Sequence, residues 1–399
     1  MTWLPREQRI GTGKVDMQVT QLVLKNWRNF RQVTAPLHDR TYLIGPNAVG
    51  KSNLLDVFRF LRDVAKPSGG GLQKAIFDRS GITKIRCLQA RTDNEIRIEV
   101  HLRSRSEPLV EWVYALGFKS EGKGAQRPVV TEEKVVRDGQ VMLDRPNSDD
   151  RADPLRLTQT YLEQINANVA FRDLADFFQA TTYLHLVPQL LKFGDRIAGN
   201  RLENDPFGQD FLERLVKVQT KTRDARLRRI QKVLALAVPF FAELQFKQDE
   251  STGRPHLEAR YAHWRPRGAW HREDEFSDGT LRLIALLWSL LDGDGLLLLE
   301  EPELSLNDAI VERVPLMIDR ITRTIKVKRQ VFISTHSAAL LRNPIDARGI
   351  LLLQPGQDGT SIRQPDTEEL GLLSAGITPA EVLLPKTRPA SMEQMAMLE

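Results

Sequence analysis

The segment TYLIGPNAVGKSNLLDVFRFL (41–61) restricts this chain more than any other. A short apolar run, TYLI, ends on Gly45. A helix-patterned run follows from about Lys51 to Val64, with Leu54, Leu55, Val57, Phe58, Phe60 and Leu61 as its apolar positions. Between them GPNAVGKS (45–52) fits G-x-x-x-x-G-K-[ST], and in a strand–loop–helix setting that pattern is a phosphate-binding loop. Gly45 and Gly50 permit the tight turn. The backbone of Gly45, Pro46, Asn47, Ala48, Val49 and Gly50 curls around phosphates, with Asn53 just beyond it. Lys51 reaches the β- and γ-phosphates, and the Ser52 hydroxyl ligates Mg²⁺. ATP and Mg²⁺ are therefore the expected ligands.

The rest of the chain must supply a sheet for this loop. GLLLLE (295–300), QVFIST (330–335) and GILLLQ (349–354) are strongly apolar and alternate with a helical stretch near 307–323. That predicts a buried, mostly parallel sheet. MQVTQLVL (17–24) reads as a further strand. IRCLQARTD, EIRIEVHLRS, LVEWVYALGF, VVTEEKVV and QVMLDR, between 85 and 145, read as an antiparallel layer. AKPSGGGLQ (65–73) is a loop by its Pro and Gly content. Residues 155–180 and 207–236 read as helical, TYLHLVP (182–188) as a strand, and 242–262 as β-like. The fold class is α/β, with a mostly parallel core sheet, an antiparallel β layer and a helical insertion. The expected division is 1–154 for an N-terminal lobe, 155–240 for the helical insertion, 241–365 for a C-terminal lobe and 366–399 for a tail suited to a partner contact.

Two more strand ends carry chemistry. GLLLLEEPELSLN (295–307) ends an apolar strand in Glu300 and Glu301. A strand parallel to the loop's strand delivers the first acid to Mg²⁺ and the second to an attacking water. VFISTHS (331–337) ends in Ser334, Thr335 and His336 at the sheet edge where ligands of open α/β sheets bind. Finally, FSDGTLRLIALLW (276–288) sets Ser277 as the N-cap of an apolar helix, a helix N-terminus suited to an anion.

The ordered set GPNAVGKS, FSDGTLRL, LLLLEEPELSLN and STHS resembles the ABC-type ATPase heads of the SMC/RecF/OLD-like group, stand-alone members of which serve bacterial DNA repair or defence. The N-terminal LVLKNWRNFRQVTAPLHDRTYLIGPNAVGKS is similar to the start of such heads. The likeness covers about 17–64 and 270–354 well and the middle loosely. It implies that Glu300 is the Walker B acid, Glu301 the catalytic base, Ser305–Asn307 the D-loop and His336 the switch histidine. Asn29, Phe30 and Arg31 would lie near the adenine. Ser277, Asp278, Gly279 and Thr280 would form the signature that reaches the nucleotide of a partner head, giving ATP-sandwiched dimers. Gln189 is the candidate Q-loop ligand of Mg²⁺, with Gln73 and Gln89 as competitors. Some positions depart from the family: Glu300 stands where Asp is usual in many ABC enzymes, Asn307 where relatives often carry His, and SDGT where transporters carry Ser-Gly-Gly-Gln.

Several classes are excluded by what the sequence lacks. Cys87 is the single cysteine, so neither a disulfide framework nor a CxxC zinc hook exists. No apolar run spans a bilayer and MTWLPREQRIGTGK has no signal pattern, which predicts a cytoplasmic protein. No heptad array supports a long coiled-coil arm, and no acidic cluster near the C-terminus supports a second, nuclease-type metal site.

With 57 Lys and Arg against 52 Asp and Glu the chain is mildly basic. KVQTKTRDARLRRIQK (217–232) carries seven basic residues and one acid. It is either a solvated helix face or a contact for the DNA backbone. Arg265, Arg267 and Arg272 with Trp264 and Trp270 form a second basic group. The expected function is a DNA-linked ABC ATPase gating an effector, a nuclease or toxin on another chain. The alternatives are a repair ATPase without such a partner and a nucleotide-locked scaffold.

Overall fold

The computed structural model describes residues 16–90, 92–122, 127–193, 206–262, 270–324 and 329–387. A six-stranded sheet lies at the centre. Its order is Gly359–Arg363, Ile350–Gly356, Arg40–Ile44, Val331–Thr335, Leu297–Glu300 and Thr182–Leu184. All neighbours are parallel except the antiparallel edge strand Gly359–Arg363. The register explains the site. Glu300 pairs with Ser334, Ser334 with Leu43, and Thr335 with Ile44, so three loops leave one end of the sheet together.

The continuous apolar runs are accounted for by burial on both faces. Leu43, Leu298, Phe332 and Leu351 enter one core, and Ile44, Leu297, Leu299, Ile333 and Leu352 enter the other. The first core lies beneath the helix Lys51–Ala65 and a second six-stranded, antiparallel sheet of order Phe30–Pro36, Met17–Trp27, Ile96–Ser104, Glu111–Ser120, Pro128–Arg137 and Gln140–Arg145. Phe60 joins them, its ring 5.2 Å from that of Trp27 and 5.4 Å from that of Phe118. The second core is built around the helix Asp278–Leu291, in which every residue from Thr280 to Leu291 is buried. A mostly apolar helix is stable where its faces are covered, and its buried Arg282 donates to the Leu186 carbonyl.

Some sequence expectations are corrected. IRCLQARTD is not a strand: Ile82–Ile85 is one helical turn, and only a single bridge joins Arg86 to Trp27. The strand Met17–Trp27 already pairs on both edges, so no ladder is free for it. Residues 155–171 are turns and short 3-10 segments, and only Arg172–Gln179 is an α-helix. There the backbone spends its hydrogen bonds on a buried ion pair rather than on a helix ladder. Glu133 accepts from the amides of Tyr161 at 2.7 Å and Leu162 at 3.0 Å, while Arg145 donates to the carbonyls of Gln159 and Arg156. Leu72–Phe77 begins a helix inside the expected loop. The basic segment breaks at Val218 into Phe211–Lys217 and Thr220–Ala237. Phe241–Gln248 and Pro255–Tyr261 form a small antiparallel sheet with Trp270–Arg272. In the tail, Thr367–Ser374 and Pro379–Val382 are helical, and Val382 and Leu383 pack into the second core.

Candidate functional site

At the end of the parallel strands Asn47, Ala48, Gly50, Lys51, Ser52 and Asn53 face Glu300, Glu301, Ser334 and His336 across a cavity of about 410 Å³. Gly50 adopts φ 105°, and a Cβ there would stand 2.2 Å from the Asn29 amide nitrogen, so only glycine fits. The Lys51 ammonium donates to the carbonyls of Gly45 at 2.8 Å and Pro46 at 3.0 Å. Burial lowers its pKa, opposed by Glu301, Glu300 and Glu303.

Ser52 Oγ donates to Glu300 Oε1 at 2.5 Å, and the Tyr183 hydroxyl donates to Glu300 Oε2. Burial pushes the Tyr183 phenol up, and the Arg59 guanidinium lies 4.1 Å over its ring. Glu301 takes the left-handed region, φ 44°, uncommon for a non-glycine residue and a place where backbone strain is held at a site. Its backbone N–H donates to Ser334 O at 3.0 Å, and its carboxylate meets His336 Nδ1 at 3.0 Å. The Ser334 hydroxyl is buried and has no hydrogen-bond partner.

A hydroxyl and a carboxylate side by side, Ser52 and Glu300, are hard oxygen donors suited to Mg²⁺. No cluster of three or more His, Cys, Asp or Glu that could hold a metal occurs among the described residues.

The signature turn stands elsewhere. Ser277 Oγ accepts from the Thr280 amide at 3.1 Å and contacts Thr280 Oγ1 at 2.8 Å, capping its helix. A Cβ at Gly279 would meet Ser305 O at 2.7 Å, so the turn packs on the D-loop. Asp278 is held by Lys192 at 2.7 Å and by the Gln189 amide at 3.0 Å. None of Ser277, Asp278, Gly279 and Thr280 lines the 410 Å³ cavity.

Other expectations are corrected here. Gln189 does not line the cavity of Ser52 and Glu300, and its amide donates to Asp278. Neither competitor is there: Gln73 donates to the carbonyls of Pro128 and Thr158, and Gln89 accepts from the Cys87 thiol. Phe30 is fully buried in the first core and is not available to a nucleotide. Arg31 pairs with Asp358 at 2.6 Å on the surface. Asn29 supports the loop from behind, donating at 2.6 Å to both Val49 O and Thr360 Oγ1 and accepting from Asn53 at 2.8 Å. Thr360 Oγ1 also donates to Val49 O at 2.8 Å. Tyr183 and Thr360 carry no sequence signal of this role. Tyr183 is one aromatic in an apolar strand, and Thr360 lies on an edge strand with no motif of its own.

On the basic helix, two cations are used internally. Arg223 lies 3.9 Å over the Phe246 ring, and Arg226 pairs with Asp292 at 2.7 Å. Lys217, Lys221, Arg228, Arg229 and Lys232 are exposed. Of the second basic group, Arg272 stands 3.7 Å from Asp249 and Trp270 is partly exposed, while Trp264, Arg265 and Arg267 lie outside the described residues.

Comparisons with known proteins agree with this geometry. The chain is similar to the SMC head bound to the C-terminal winged-helix domain of ScpA, with TM-score 0.55 and 15% identity, covering 88% of this chain and 99% of that one. It is likewise similar to an SMC head with an extended coiled coil bound to the C-terminal domain of ScpA from Pyrococcus furiosus, with TM-score 0.52 and 13% identity, covering 90% and 99%. In sequence it is 31% identical over 99 residues to the DNA replication and repair protein RecF of Roseiflexus castenholzii. That match spans 23% of this chain and 25% of the relative's length. One family model, "AAA domain, putative AbiEii toxin, Type IV TA system", matches residues 40–342, and the chain belongs to that family as an ABC-type ATPase head of the SMC/RecF-like group.

Proposed function

We propose that this chain binds and hydrolyses ATP with Mg²⁺, that two heads close around two nucleotides, and that the cycle regulates a DNA-linked process. The observation that carries the reading is the meeting of Lys51, Ser52, Glu300, Glu301 and His336 at one end of the parallel sheet. Lys51 supplies a cation to the β- and γ-phosphates. Ser52 and Glu300 are the oxygens that would hold Mg²⁺, whose chemistry when bound is to neutralise charge on the β- and γ-oxygens. Glu301 orients the attacking water and accepts its proton. His336, in contact with Glu301, steadies that carboxylate and reaches the γ-phosphate. Positioning and electrostatics do nearly all the work in phosphoryl transfer, so slow hydrolysis is expected from this set once a second head completes it.

The signature turn lies outside its own cavity. Its helix N-terminus and the Ser277 hydroxyl therefore serve the nucleotide of a second head, which supports a homodimer or a higher even oligomer. Lys221, Arg228 and Lys232 fall on one stripe of the helix Thr220–Ala237 with Arg229 beside it, a surface for DNA phosphates with little sequence specificity. The toxin–antitoxin wording of the family supports a defence role with a separate nuclease or toxin. The repair name of the RecF relative supports a second reading, a repair or chromosome-maintenance ATPase without such a partner. No helix among the described residues is long and apolar enough to cross a membrane, in keeping with a cytoplasmic setting.

The test is phosphate release by wild type, Lys51→Ala and Glu301→Gln, each with and without duplex DNA. Loss in both variants, by about 100-fold or more, is expected. Equal release by all three proteins sinks the reading. Recovery of a co-purifying nuclease or toxin favours the defence role over repair.

A further inference from the structure

Two residues beyond Glu301 stands a third acid, Glu303, which no motif claims. Its residue is only 7% exposed. Glu303 Oε1 accepts from Thr335 Oγ1 at 2.6 Å and lies 3.4 Å from the His336 backbone N–H. Thr335 Oγ1 in turn accepts from the Ser337 N–H at 3.0 Å. One carboxylate oxygen therefore closes the turn on which His336 is carried. Behind it, the Leu306 N–H donates to Glu303 O at 3.1 Å, and the adjoining Ser305 carbonyl is the atom that leaves no room for a Cβ at Gly279.

We infer that Glu303 is a positioning residue: through Thr335 and the His336 amide it sets the imidazole against Glu301 and ties the turn to the D-loop strap. This rests on the hydrolysis reading given above. Burying a carboxylate is costly unless it is hydrogen-bonded, so an acid retained here serves a purpose that an apolar residue would not. Glu303 Oε2 is buried with no partner, so the acid is not optimised for stability. Its accepting oxygen is engaged wholly by the loop that carries His336, while its main chain lies in the loop that carries Glu301. The contact of 3.0 Å between His336 and Glu301 is thereby fixed from both sides. Burial also holds the Glu303 carboxyl above the ordinary carboxylate range. Glutamine keeps an acceptor oxygen for Thr335 and the His336 amide and should substitute well.

The experiment compares Glu303→Ala, Glu303→Gln and Thr335→Val with wild type in the full chain. The readouts are kcat for phosphate release, Kd for a fluorescent ATP analogue, and the ring signal of His336 by NMR in histidine-labelled protein. For Glu303→Ala, kcat is expected to fall by about 10- to 100-fold, as a misplacement of about 1 Å can do, with Kd unchanged within about twofold. The Gln variant keeps an oxygen for Thr335 and is expected to recover most of kcat. Thr335→Val removes the shared hydroxyl and should reproduce the Ala result. The His336 signal should move in the Ala and Val variants and stay near its place in the Gln variant. An Ala variant with wild-type kcat overturns the inference, as does a His336 signal unchanged in all three. Loss of nucleotide binding together with kcat in both Glu303 variants also overturns it, because the residue then only supports the fold. If wild type and Lys51→Ala release phosphate equally, the hydrolysis reading is what fails, and the His336 signal still decides the role of Glu303.

Discussion

Around the P-loop, most of the polar groups that shape the cavity find partners in distant parts of the same chain. The ammonium of Lys51 is held by Gly45 and Pro46, Val49 O by Asn29 and Thr360, and Ser52 by Glu300. At the signature turn the helix behind is equally rigid, buried from Thr280 to Leu291. The turn packs on the D-loop and is held by Lys192 and Gln189, and it does not line the cavity. Both regions have helix N-termini suited to anions, and only one has the companion residues that make a site. The P-loop end gathers its companion residues in one cavity, whereas the turn at 277–280 stands apart from it, as the proposed head dimer requires.

This contrast is most exposed at Ser277→Arg, where the largest effect is expected. A long cation at the turn should abolish ATP-dependent dimerisation and hydrolysis while leaving ATP binding by the monomer within about twofold, a difference well under 1 kcal/mol. Light scattering with and without ATP, beside a binding titration, checks it. Should the variant unfold instead, Ser277 serves only as a helix cap.

A smaller effect is expected at the other end. Asn29→Ala removes two hydrogen bonds that shape the P-loop from behind, to Val49 O and Thr360 Oγ1. At about 1 kcal/mol each when the groups are left unmatched, nucleotide affinity should fall by up to roughly 30-fold. Unchanged affinity would mean that Thr360 alone suffices to hold Val49.

The smallest effect tests how the P-loop lobe is supported. Glu163 accepts from the Leu72 N–H at 2.7 Å, at the start of the helix that follows the loop after Lys51–Ala65. Burial pushes its carboxyl up to about 7 from 4.5. Between those values the folded chain keeps a proton that the unfolded chain has released, so folding stability falls as pH rises across that window. Glu163→Gln should remove this part of the slope, shifting relative melting temperatures by about 2 °C or more between pH 5 and 7.5. Parallel melting curves for the two proteins would show that Glu163 does not titrate there.

Much of the site was legible in the sequence because its chemistry is local. A P-loop is one turn between one strand and one helix, so GPNAVGKS carries its own geometry. Glu300, Glu301 and His336 each end an apolar strand, and parallel strands end together. Glu163 and the buried set of Arg145, Glu133 and Asp150 were not legible, nor was the loss of helix after 154. An ion pair between residues 12 positions apart draws in backbone groups from yet another segment, and no periodicity reports that. The glutamine at 189 stands outside the cavity, its amide bonded to Asp278, a partner 89 residues away that no local pattern reports.

The strand–loop–helix phosphate site, the two-sided burial of the central sheet and the capped, mostly apolar helix Asp278–Leu291 were all specified by the sequence, since each follows from neighbours in the chain. Which side chains support those parts was settled by the folded arrangement. Asn29 and Thr360 behind the loop, Tyr183 on Glu300 and Glu303 beneath His336 are joined across sequence separations of 32 to 331 residues. Such contacts are set by sheet order and register, and local propensity carries no information about either.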